Sequence, residues 1–108
     1  RKAALLGDML ELGEETAALH EEVGIYAVDQ KIDVLVCVGT LSRPMYEAAR
    51  AHAAKNGDRN RTEIFYFEGL EEMIKELPGI LRKGDAVLVK ASHAMGFEKV
   101  VEWLGQAE

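Results

Sequence analysis

Apolar and polar positions along the chain fall into short blocks that switch between a strand-like and a helix-like period. Ala3-Ala4-Leu5-Leu6 is an unbroken apolar run too brief for a helix. It predicts a buried strand, ended by the loop Gly7-Asp8-Met9-Leu10-Glu11-Leu12-Gly13. Leu19, Val23, Tyr26 and Ala27 then recur at helical spacing and predict a helix over residues 15–29. Gly24 inside that helix costs about 1 kcal/mol relative to alanine, so close packing against a neighbour is expected there. Residues 32–38 are almost wholly β-branched or apolar, which suits a central strand covered on both faces.

Gly39-Thr40-Leu41-Ser42-Arg43-Pro44 follows, with Ser42 as the expected helix N-cap and Pro44 in the first turn. Met45, Ala48, Ala49, His52 and Ala53 line one side of a helix ending at Gly57, and Asp58-Arg59-Asn60-Arg61 reads as a solvated loop. Ile64-Phe65-Tyr66-Phe67 is a third strand. Leu70, Met73, Ile74 and Leu77 mark a third helix, stopped by Pro78-Gly79. A Lys83-Gly84-Asp85 turn launches Ala86-Val87-Leu88-Val89, a fourth strand expected to be buried on both faces. Beyond it Phe97, Val100, Val101 and Leu104 form the stripe of a last helix. Strand and helix alternate four times. The fold class is α/β: a three-layer α/β/α, Rossmann-like domain over residues 1–108, its sheet mostly parallel with helices on both faces.

Composition narrows the functional classes. A net charge of −6 argues against a nucleic-acid partner, which needs a basic face to neutralise phosphate. No apolar run approaches the roughly 20 residues of a membrane helix. Cys37, the single cysteine, lies inside an apolar run and reads as a buried inert thiol. His20 and His52 occupy helical positions as satisfied surface or core-edge side chains, without metal-ligand spacing. The four methionines read as packing. The chain opens directly on a strand without an initiator methionine, as expected of a piece of a longer protein.

Parallel strands present their carboxyl ends on one edge, where ligands of open α/β sheets bind. Three loops leaving that edge carry polar residues: 7–13, 39–43 and 90–96. The first brackets Asp8 and Glu11 between glycines, lacks the pattern of a phosphate loop, and suits a bound ammonium group. Lys90, Ser92 and His93 stand between a strand and a helix start, where a carboxylate is favoured. Together they are candidates to hold a zwitterion such as an amino acid or short peptide. The plain alternatives are a solvated acidic turn, a strand-end lysine reaching water and a helix-capping serine. Gly39, Thr40, Ser42 and Arg43 are further candidate contacts, with helix capping as the alternative.

The segments Leu5-Leu6-Gly7-Asp8-Met9-Leu10-Glu11-Leu12-Gly13, Leu19-His20-Glu21-Glu22-Val23-Gly24 and Val87-Leu88-Val89-Lys90-Ala91-Ser92-His93-Ala94-Met95 resemble, in this order, the carboxyl-terminal domain of the Mur ligases. Ala91 stands where that family usually has glycine, and His93 where arginine is frequent. The resemblance implies part of an ATP- and magnesium-dependent amide ligase of bacterial cytoplasm. Such an enzyme adds D-alanyl-D-alanine to UDP-N-acetylmuramoyl-tripeptide through an acyl phosphate, in peptidoglycan precursor synthesis. It also implies that the nucleotide and metal are held by other domains and that this one closes over the site. Asp8, Glu11, Leu12, Lys90, Ser92 and His93 would face the amino substrate, with no catalytic residue and no metal ligand in this chain. An upstream strand and helix of the family's domain have no counterpart in the sequence. The competing expectation is a stand-alone α/β binding or regulatory module without catalysis.

Overall fold

The computed structural model describes residues 1–9, 13–57 and 61–91. Its strands are β1 (Lys2–Gly7), β2 (Val34–Val38), β3 (Glu63–Phe67) and β4 (Ala86–Lys90), all parallel and ordered β3-β2-β1-β4. Between them run α1 (Thr16–Asp29), α2 (Arg43–Asn56) and α3 (Leu70–Ile80). The chain steps outward from β1 to β2 to β3, then returns to place β4 on the other side of β1. Right-handed crossovers in opposite directions put their helices on opposite faces of a sheet. Accordingly α1 and α2 cover one face and α3 the other.

Alternation along each strand divides the core in two. Ala3, Leu5, Val34, Val36 and Val38 pack with Met73 and Leu77 of α3. Ala4, Leu6, Leu35 and Cys37 pack with Ala27, Val28, Met45 and Ala49 of α1 and α2. The two inner strands, β1 and β2, are thereby buried on both faces. Burial pushes the Cys37 thiol up to about 12, so the inert reading of this cysteine holds.

Gly24 is where α1 meets α2. A Cβ built there would overlap the Met45 carbonyl oxygen, so the close packing expected of this glycine is present. His52 Nε2 and Asp29 Oδ1, 2.6 Å apart, join the same two helices nearer their carboxyl ends.

Four sequence expectations are corrected. Residues 86–89 were expected to be covered on both faces, but β4 is an edge strand among the described residues and its exposure alternates, with Leu88 57% exposed. Leu88 neighbours Ala4 on the α1–α2 side, where those helices sit over β1 and β2 instead. Four apolar residues in a row therefore did not mean two covered faces. Second, α3 runs through Pro78 to Ile80 rather than stopping at Pro78-Gly79. A proline in the last turn forfeits few intrahelical bonds, and the Leu81 N–H still reaches the Leu77 carbonyl at 2.9 Å.

Third, β2 begins at Val34 rather than Ile32, because the exit from α1 consumes the intervening residues. Lys31 adopts φ 57° there and its N–H returns to the Val28 carbonyl. Fourth, Ser42 stands at the N-cap position of α2 without making a side-chain cap bond. Its hydroxyl is used elsewhere. The loop at 58–60 and the apolar stripe Phe97, Val100, Val101 and Leu104 lie outside the described residues.

Candidate functional site at the carboxyl edge of the sheet

The strand order reverses between β1 and β4, and the carboxyl ends of these two strands lie side by side. In open α/β sheets ligands bind outside the carboxyl ends of the strands where the order reverses in this way. Asp8 follows β1 directly, and Lys90 closes β4 in register with Leu6. Val38 pairs with Gly7, so the turn starting at Gly39 leaves the sheet from the same edge.

The geometry at this rim is built from hydrogen bonds among the strand exits. Ser42 is fully buried and its hydroxyl donates to Asp8 Oδ1 at 2.8 Å. Asp8 itself is only 8% exposed and lies against Gly39. Any Cβ on Gly39 would overlap the Asp8 carboxylate, and Gly39 also adopts φ 110°, a region that only glycine enters without strain. The Gly39 N–H donates to the Phe67 carbonyl at 2.9 Å, and the Tyr66 hydroxyl donates to the Gly39 carbonyl at 3.0 Å. One residue thus ties together the ends of β1, β2 and β3. Burial, and then the nearby Glu68 carboxylate, raise the Tyr66 hydroxyl above its ordinary value, which keeps it a donor.

Leaving β1, the chain runs out of ladder partners, and a buried N–H there must be satisfied by something else. His20 supplies the acceptor. Its ring, 0% exposed, takes the Met9 N–H on Nε2 at 3.0 Å, while Nδ1 lies 2.6 Å from the Thr16 carbonyl oxygen. A carbonyl can only accept, so Nδ1 carries the proton and Nε2 the free lone pair. His20 was expected at the surface or core edge; it is instead fully enclosed, with Met9, two residues beyond β1, bonded to it.

Of the candidate contacts, the structure brings Asp8, Gly39 and Ser42 together and sets Lys90 on the same edge one strand away. Thr40 and Arg43 are exposed, and Arg43 Nε donates to Glu47 Oε1 at 3.0 Å, one turn along α2. Glu11, Leu12, Ser92 and His93 lie outside the described residues. Sequence reasoning missed Tyr66 and the role of His20. A hydroxyl at the end of a strand and a histidine one turn into a helix were the available signals. Among the described residues no group of three or more His, Cys, Asp or Glu side chains could hold a metal ion. No helix among them is long and apolar enough to cross a membrane.

The profile of the Mur ligase, glutamate ligase domain matches residues 1–93, and the chain belongs to that family. Its relatives narrow this to a carboxyl-terminal domain of the MurF type. It is 36% identical over 113 aligned positions to the UDP-N-acetylmuramoyl-tripeptide–D-alanyl-D-alanine ligase of Mycobacterium tuberculosis, covering 96% of this chain and 22% of that one. The Bacillus subtilis ligase of the same name is 32% identical over 102 positions, covering 94% and 21%. The crystal structure of MurF from Acinetobacter baumannii superimposes with a TM-score of 0.78 at 21% identity, over 95% of this chain and 22% of that one. The chain thus spans about a fifth of the length of the curated relatives it matches.

Proposed function

We propose that this domain works within a longer ATP-dependent ligase that joins D-alanyl-D-alanine to UDP-N-acetylmuramoyl-tripeptide in bacterial peptidoglycan precursor synthesis. The relatives named above carry that activity in their names, and the juxtaposition of Lys90 with the β1 exit at the switch point carries the reading to this chain. In it, the domain covers the site and positions the incoming dipeptide. Lys90, exposed at the end of β4, attracts the dipeptide carboxylate, aided by Ser92 and His93 in the segment that follows. Asp8 is held by Ser42 and lies against Gly39, so its part is to shape the rim, and the amine is left to Glu11, with Leu12 beside it facing the substrate.

In this reading ATP and magnesium belong to the other domains. There an acyl phosphate forms on the tripeptide carboxylate and is attacked by the dipeptide amine. The contribution of the present residues is alignment of that amine, which lowers the barrier by holding the reactants in a productive geometry. A bacterial cytoplasmic location accompanies the proposal.

Kinetics of the full-length ligase provide the test. Lys90→Ala should raise the KM for D-alanyl-D-alanine about tenfold, the order expected for losing one charged contact, with the KM for ATP nearly unchanged. Unaltered dipeptide kinetics would remove Lys90 from the site.

A further inference from the structure

The His20 imidazole is a fully buried polar group in the described part of the chain that neither the core nor the proposed ligand contacts require. A methionine or leucine would fill comparable space on the inner side of α1 without needing partners. Instead the ring is satisfied at both nitrogens, and the two partners are backbone atoms of different segments. Nδ1 anchors it to the first turn of α1 through the Thr16 carbonyl, and Thr16 Oγ1 in turn donates to the Gly13 carbonyl at 2.7 Å. Nε2 reaches across to Met9, the residue after Asp8. The imidazole therefore spans from where the β1 exit begins to where α1 begins.

Ser42 holds the neighbouring position from the opposite side, through the Asp8 carboxylate. Two consecutive residues beyond β1 are thus gripped by buried side chains from two different helical segments. Hydrogen bonds of this kind fix a backbone path rather than a side-chain pose, and buried ones act in a medium where loss of a partner is costly.

We propose that His20 is a positioning residue for dipeptide binding: by holding the Met9 N–H from within α1, it sets the course of the β1 exit beside Lys90. The proposal rests on the function given above and deepens it. His20 touches no substrate. It fixes the rim against which the dipeptide is laid, so its loss should be felt in dipeptide binding before anything else.

The test uses the full-length ligase and steady-state kinetics for each substrate. In His20→Ala the KM for D-alanyl-D-alanine should rise about tenfold, while the KM for ATP stays within about twofold. His20→Gln keeps an acceptor oxygen at nearly the reach of Nε2 and should return the dipeptide KM to within about threefold of the parent. His20→Met fills the space without an acceptor and should behave like the alanine variant. This trio also serves if His20→Ala is too unstable to assay, since glutamine and methionine then decide between acceptor and mere volume. Equal dipeptide KM values for the Gln and Met variants, or parallel rises for both substrates, overturn the positioning role. Failure of the unaltered full-length chain to ligate the dipeptide overturns the function itself and the positioning role with it. Normal ligation with an unmoved dipeptide KM in His20→Met overturns the positioning role alone.

Discussion

Two glycines carry constraints that no other residue meets. Gly24 lets α1 approach α2 until its backbone touches the Met45 carbonyl, and Gly39 combines a positive φ with the Asp8 carboxylate pressed against it. Gly24→Ala should therefore destabilise the domain despite the better helix propensity of alanine, by about 2 kcal/mol from overpacking. Gly39→Ala should cost at least as much, about 2–3 kcal/mol, because strain and overlap act together. Urea denaturation of each variant checks the order, and an unchanged midpoint for Gly24→Ala would contradict the packing described. The sequence made Gly24 suspicious, since a helical glycine needs a reason. It gave no hint that Ser42 would leave its capping role for Asp8, because that bond joins residues 34 positions apart.

At the scale of elements, burial separates strands of similar composition. Leu35 in β2 is 0% exposed, whereas Leu88 in β4 is 57% exposed. Leu35→Ala should cost about 3 kcal/mol, within the range for emptied core sites, and Leu88→Ala less than about 1 kcal/mol. Thermal unfolding of the two variants side by side gives the comparison, and equal losses would mean β4 is as enclosed as β2. The starts of β1 and β4 and the end of α3 are joined by Arg1, whose Nη2 donates to the Ile80 carbonyl at 2.9 Å and to Asp85 Oδ2 at 3.0 Å, with Nε reaching Oδ1 at 3.1 Å.

This fork, together with the Arg82 N–H, holds the Asp85 carboxyl down to about 2. A carboxylate whose folded value lies below its unfolded one stabilises the fold at higher pH. Here that contribution is present above about pH 4 and drains away as the pH falls toward 2. Stability measured by denaturant across pH 2–6 should decline on that limb, and Asp85→Asn should flatten it. A variant with an undiminished acid limb would show that the fork contributes nothing.

For the whole molecule, the parallel order β3-β2-β1-β4 brings the carboxyl ends of strands widely separated in sequence to one edge. The chain spans only about a fifth of the length of its curated relatives, and the proposed chemistry needs groups from the rest. The 108-residue chain on its own should accordingly show no dipeptide ligation with ATP present, while the full-length ligase does. Product formation by the isolated chain, followed by chromatography of the muramoyl peptide, would overturn the division of labour proposed here.

The alternation of short apolar runs with helical stripes determined the order of the described elements, the α/β class and the central place of β2. These follow from the sequence because periodicity and turn residues act locally, within a few positions. The exits of β1, β2 and β4 at Gly7, Gly39 and Lys90 were also legible as lying on one edge, since parallel strands all end on the same side. Only tertiary structure decided that β4 lies at an edge among the described residues, that Asp8 turns inward to Ser42, and that His20 is enclosed and grips Met9. Each depends on which distant segment arrives beside a residue and takes up its hydrogen-bonding groups. That is settled by how the layers pack, and local pattern does not record it.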